Sequence, residues 1–83
     1  MTTIIRTSKQ LGSALRRIRK GQGLTQHALG DKMHARQATI SKLEAGEPAT
    51  QLRTFLDALA ALNLELVVRP RTAAPEHEIE DLF

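Results

Sequence analysis

Between Leu24 and Gly46 the chain carries two short apolar patterns separated by a tight turn, and no other stretch restricts the fold as strongly. Thr25 is a good N-cap. The helix it starts runs to about Met33, with Ala28, Leu29 and Met33 on its inner side. Met33-His34-Ala35 forms the turn. The next helix spans about Arg36 to Ala45, buries Ile40 and Leu43, and stops at Gly46. Helices this short are marginal alone, so the two must pack on each other and on their neighbours. The second one opens with Arg36, Gln37, Ala38 and Thr39, polar or small at its tip and apolar behind. That layout suits a helix entering the major groove of a duplex N-terminus first.

The flanks supply what those helices pack against. Ser8 is placed to cap a first helix whose apolar stripe is Leu11, Ala14, Leu15 and Ile18. Gly21 and Gly23 stop it. Thr50 is placed to cap a fourth helix, with Leu52, Phe55, Leu56, Leu59 and Leu62 facing inward and Asn63 at its end. Leu64-Glu65-Leu66-Val67-Val68-Arg69 then alternates, with Leu64, Leu66 and Val68 on one face, before Pro70. This reads as a short strand. A lone strand leaves its hydrogen bonds unmade, so its partner is Thr2–Arg6, the same strand of a second copy, or both. The expected fold is mainly all-α, a bundle of four to five helices with a short C-terminal β-strand for dimerisation.

Charge divides the chain in two. Residues 72–83 hold Glu76, Glu78, Glu80 and Asp81 and no Lys or Arg. All 12 cations therefore face five acids in residues 1–71, a balance of +7 against +3 for the whole chain. A domain this basic suits a polyanion, although a solvated surface is the plainer reading of charge alone. We take 1–71 as the binding and dimerisation domain and 72–83 as an acidic flexible tail. With only Phe55 and Phe83 as aromatics, stacking modules for single strands are disfavoured. The absence of cysteine removes disulfides and thiolate metal sites. His27, His34 and His77 lack zinc-site spacing. No apolar run is long enough to span a bilayer, and Met1–Arg6 lacks the pattern of a signal peptide. A cytoplasmic protein is expected. No nucleophile elbow, phosphate-binding glycine loop or paired-carboxylate pocket is visible, so neither an enzyme, a cofactor, a metal nor a small-molecule substrate is expected.

Leu24-Thr25-Gln26, Ala38-Thr39-Ile40-Ser41 and Leu43-Glu44-Ala45-Gly46 together resemble the lambda-repressor-like, or Xre, helix-turn-helix family over residues 11 to 62. Leu59-Ala60-Ala61-Leu62-Asn63-Leu64-Glu65-Leu66 is similar to its HipB-like antitoxin branch. A five-helix member would continue helical where this chain alternates. His34 also departs from the pattern: glycine is usual there because the turn needs positive φ, which histidine tolerates better than most residues.

The resemblance implies a sequence-specific repressor of double-stranded DNA, dimeric, on an inverted-repeat operator. Arg36 and Gln37 are the expected base readers, Arg for guanine and Gln for adenine. Ala38 either touches a thymine methyl or provides clearance, and Ser41 reaches base or phosphate. Lys42 and Gln26 are expected on phosphate. Thr25 and Thr39 are phosphate candidates too, although capping and packing also explain them. Arg19 looks like one more cation for DNA, but the family match implies an ion pair with Glu44. The HipB-like branch implies an antitoxin that represses its own operon and binds a HipA-like, kinase-fold toxin. Leu82 and Phe83 are then the expected toxin-binding end of the tail, the alternative being a tail that competes electrostatically with DNA. The other functional readings are a stand-alone phage-type or host regulator without a toxin, and a protein-interaction adaptor that kept the scaffold.

Overall fold

A computed structural model of the chain describes residues 2–71. Four helices follow one another: α1 (Ser8–Gly21), α2 (Gln26–Met33), α3 (Gln37–Glu44) and α4 (Leu52–Ala61). The chain is therefore all-α among the described residues. α3 packs on both α1 and α2, and α2 packs on α4. Their common core is Leu15, Leu29, Ile40, Leu43, Ala58, Leu59 and Leu62. Leu29 and Ile40 are fully excluded from solvent, so the two helices of the central motif each contribute a complete anchor.

Two capping assignments change. Thr7, not Ser8, caps α1: its hydroxyl accepts from the Gln10 N–H at 3.1 Å, and Ser8 becomes the first helical residue. Gln10 reaches back to accept from the Arg6 N–H at 2.6 Å, so both side chains of a Thr-x-x-Gln pattern bond backbone donors at the helix start. α4 begins one residue later than Thr50 implied, with Gln51 at the N-cap and no side-chain cap. Thr25 does cap α2, accepting from the Ala28 N–H at 3.0 Å.

The four helices end alike. After each, one residue adopts positive φ: Gly23 at 75°, His34 at 55°, Gly46 at 75° and Asn63 at 59°. At each end two bonds close the turn. The N–H of the positive-φ residue donates to the carbonyl three residues back, and the next N–H donates to the carbonyl five back. Leu24 to Arg19, Ala35 to Gly30, Glu47 to Lys42 and Leu64 to Leu59 form the longer bonds, at 3.1, 2.8, 3.2 and 2.7 Å. This is the Schellman arrangement. In three of the four the residue that follows, Leu24, Ala35 or Leu64, packs against the core.

Leu52 and Leu56 do not face inward. They are 65% and 43% exposed, because α4 turns only Ala58 and Leu59, with Phe55 and Ala61 half-buried, onto α2 and the core. Nor is there a β-strand among the described residues. Residues 64–71 form neither helix nor ladder, and residues 2–6 do not pair with them. The physical reason is that a ladder needs a second backbone, and the chain's own N-terminal segment does not supply it. Leu64 is half-buried against the core, whereas Leu66, Val67 and Val68 are exposed.

Candidate nucleic-acid interface

α3 divides cleanly. Ile40, Leu43 and Glu44 are buried, Thr39 is half-buried, and Gln37, Ala38, Ser41, Lys42 and Ala45 are exposed, with Arg36 exposed at the N-cap. The outer residues at spacings of three and four share one face, as helical geometry requires. The structure thus brings Arg36, Gln37, Ala38, Ser41 and Lys42 together on one open surface. Arg36 has a cap-compatible backbone, φ −77° and ψ 153°, yet makes no side-chain cap. A cation at the positive end of a helix is locally unfavourable. Local conflicts of this kind concentrate at functional positions, which makes Arg36 a candidate.

Behind this surface lies a buried ion pair. Arg19 Nε donates to Glu44 Oε2 at 2.6 Å and Nη2 to Oε1 at 3.0 Å, a two-point contact. Nη1 donates to the Leu24 carbonyl at 2.7 Å. Both side chains are nearly solvent-free. The Glu44 hydrogen bonds hold the guanidinium above the usual arginine range, against burial, which pulls it down, and the opposite charge adds to the rise. Arg19 is therefore occupied inside the motif, tying the end of α1 to the end of α3.

Gln26 extends this network outward. Its amide Nε2 donates to Glu44 Oε1 at 3.2 Å, and its Oε1 accepts from Gln37 Nε2 at 3.4 Å. An ionised carboxylate only accepts, so Glu44 requires the NH2 side of Gln26, and the Gln26 oxygen then faces Gln37. Gln37 in turn directs its NH2 toward Gln26. Its oxygen and second N–H remain open, the acceptor and donor that an adenine edge needs. Expected as a phosphate contact, Gln26 sits in the structure between the ion pair and Gln37. The sequence held the residues but not this link, since nothing in their spacing shows that Glu44 lies within reach of Gln26.

Thr25 spends its hydroxyl on the cap of α2, and Thr39 lies in a cleft between α3 and the start of α4. Lys42, Thr50, Gln51 and Thr54 line the same cleft; from sequence Thr50 reads only as a cap, and Gln51 and Thr54 carry no signal. Two glycines allow the close packing. A Cβ on Gly12 would lie 2.5 Å from the Glu44 carbonyl oxygen, and one on Gly30 would lie 2.7 Å from that of Ala35. Among the described residues no acid–histidine group could hold a metal, and no helix is long and apolar enough to cross a membrane. Leu82 and Phe83 lie outside the described residues.

Comparison with known proteins bears on this geometry. Residues 15–68 match the Helix-turn-helix family. Antitoxin HipB of Escherichia coli, from strains CFT073 and K12, is 37% identical over 68 residues in each case, 81% of this chain and 72% and 77% of theirs. The chain belongs to the HipB-like helix-turn-helix family. A HipB variant in an O2 20mer complex has a TM-score of 0.78 to this HipB-like chain at 33% identity, over 83% of this chain and 96% of that one. HipB in a HipA–HipB–O2–O3 complex gives 0.77 at 34% identity, over 82% and 96%.

Proposed function

We propose that this HipB-like chain is a homodimeric, sequence-specific repressor of double-stranded DNA, and the antitoxin of a HipA-like, kinase-fold toxin whose operon it represses. The carrying observation is the exposed face of Arg36, Gln37, Ala38, Ser41 and Lys42, mounted on the Arg19–Glu44 pair. Its relatives supply the rest: they bear the name Antitoxin HipB, and one is solved together with HipA.

In this reading each subunit lays α3 in one major groove. Arg36 and Gln37 read bases, Ala38 lets the backbone approach, and Ser41 reaches the next base or phosphate. Lys42, Thr39, Thr25 and Gln26 face the phosphate strands, with Thr50, Gln51 and Thr54 beside Lys42. Residues 1–71 are the binding and dimerisation unit. The copies pair through Leu64, Leu66 and Val68: Leu64 is half-buried at the core, Leu66 and Val68 are exposed, and the backbone they share is unladdered and needs a partner. Residues 72–83 form the tail that offers Leu82 and Phe83 to the toxin. Repression follows from occupancy in the cytosol and requires no chemistry, cofactor or small-molecule substrate.

Fluorescence anisotropy with a duplex from the chain's own upstream promoter tests the reading. Tight binding there and weak binding to a shuffled duplex are expected. Gln37→Ala should lose about 1–3 kcal/mol on the cognate duplex alone, while Lys42→Ala weakens both and lowers the salt slope by about one unit. Equal affinity for both duplexes overturns the repressor. Failure of a co-expressed kinase-fold neighbour to co-purify overturns the antitoxin.

A further inference from the structure

The proposed DNA face leaves a second cationic surface unused. On α1, Lys9, Ser13, Arg16, Arg17 and Lys20 are exposed and lie opposite the stripe of Leu11, Leu15 and Ile18. The helix contains no acidic residue. From Lys9 to Lys20 the cations extend over about 16 Å of helix.

The chain's own acids match this surface. Glu76, Glu78 and Glu80 alternate, so an extended tail sets all three on one side over about 13 Å. The fold also says where such a tail begins. Gln22, just past α1, donates from Nε2 to the Leu62 carbonyl at 2.8 Å, so the end of α1 and the end of α4 are neighbours. The segment after α4 therefore starts at the end of α1. Antiparallel pairing of residues 64–69 about a two-fold axis lays the Arg69 end of one copy beside the Leu64 start of the other. The tail then emerges near the end of the partner copy's α1.

We infer that the outer face of α1 is a docking surface for the acidic stretch of residues 76–81 from the other subunit, which stows those four charges away from α3. This rests on the dimer proposed above.

The chain has no cysteine, so His77→Cys provides a single nitroxide site in the full chain. Nitroxide-bearing unlabelled chains are mixed with nitrogen-15-labelled chains lacking the nitroxide, and sedimentation is recorded on the same sample. Several-fold faster amide relaxation concentrated on Arg16–Lys20 is expected. It should vanish in an Arg16→Glu, Arg17→Glu, Lys20→Glu variant of the labelled chain, and in about 1 M salt, where the Debye length falls to about 3 Å. A dimer with no effect on α1, an effect centred on Gln37–Lys42, or one that survives both charge reversal and salt overturns the docking alone. A monomer overturns docking and dimer together. Loss of the α1 effect on adding one equivalent of operator duplex assigns the face to phosphate and overturns the docking.

Discussion

Replacing Arg36 with Asn should make the protein more stable and a poorer DNA binder. Arg36 occupies the N-cap of α3 with φ −77° and ψ 153°, already in the extended region a capping residue uses, but makes no side-chain cap bond. Asparagine at such a site is worth about 1 kcal/mol over a non-capping residue. Removing the cation from the helix N-terminus adds roughly 0.3–1 kcal/mol. The gain of about 1–2 kcal/mol carries little strain cost, because the side chain is exposed and the backbone need not move. For a domain of this size each kcal/mol raises Tm by about 4–8 °C. Urea unfolding followed by circular dichroism, at one fixed protein concentration because the proposed dimer would link stability to concentration, measures the gain. Anisotropy on the cognate duplex should show a loss of about 1–3 kcal/mol, roughly five- to 150-fold, if Arg36 makes a two-point contact to a base. A lower urea midpoint would refute the capping argument. Unchanged cognate affinity would refute the assignment of Arg36 to base reading.

Other substitutions test the packing behind the surface. Gly12→Ala should lower stability by about 1–3 kcal/mol despite its better helix propensity, since the new Cβ would lie 2.5 Å from the Glu44 carbonyl oxygen and 2.7 Å from the Gly46 nitrogen; an unchanged urea midpoint would contradict this. Glu44→Ala strands the buried Arg19 and should cost about 3–5 kcal/mol, whereas Arg19→Met with Glu44→Leu should refold close to the parent stability; denaturant titration of both variants decides. Val67→Pro would remove a donor from the proposed intersubunit ladder and should yield a monomer at low micromolar concentration by sedimentation; an intact dimer would place the interface elsewhere.

Much of the scaffold is legible because its stops are local. Gly23, Gly46 and Asn63 are residue types that take positive φ cheaply, and each falls two residues past the last residue of its helix. His34 could be placed as well, since the motif around it demands that geometry. What stayed illegible depends on contacts across the chain or beyond it. Thr7 and Ser8 are adjacent hydroxyls, and only the path of the backbone decides which meets the Gln10 N–H. Leu52 and Leu56 continue the apolar period of α4, but the period cannot tell a core from a surface awaiting a second molecule. Residues 64–69 have the alternation of a strand, and alternation is realised only against another backbone. Gln26 bonds Glu44 across 18 positions, a pairing that spacing does not encode.

The shared form of the helix ends bears on how this protein can change. α3 is bounded by His34 before it and Gly46 after it, and both turns are closed by backbone bonds. Its inner side is fixed by Ile40, Leu43 and Glu44. Length, position and tilt are thereby set by residues that do not reach the open surface. Arg36, Ala38, Ser41 and Lys42 carry no share of that task, so they can be exchanged while the frame persists. Under mutation such a chain drifts in target before it drifts in shape. Gln37, joined through Gln26 to the buried carboxylate, is the one proposed reader whose replacement is felt on both sides of that divide.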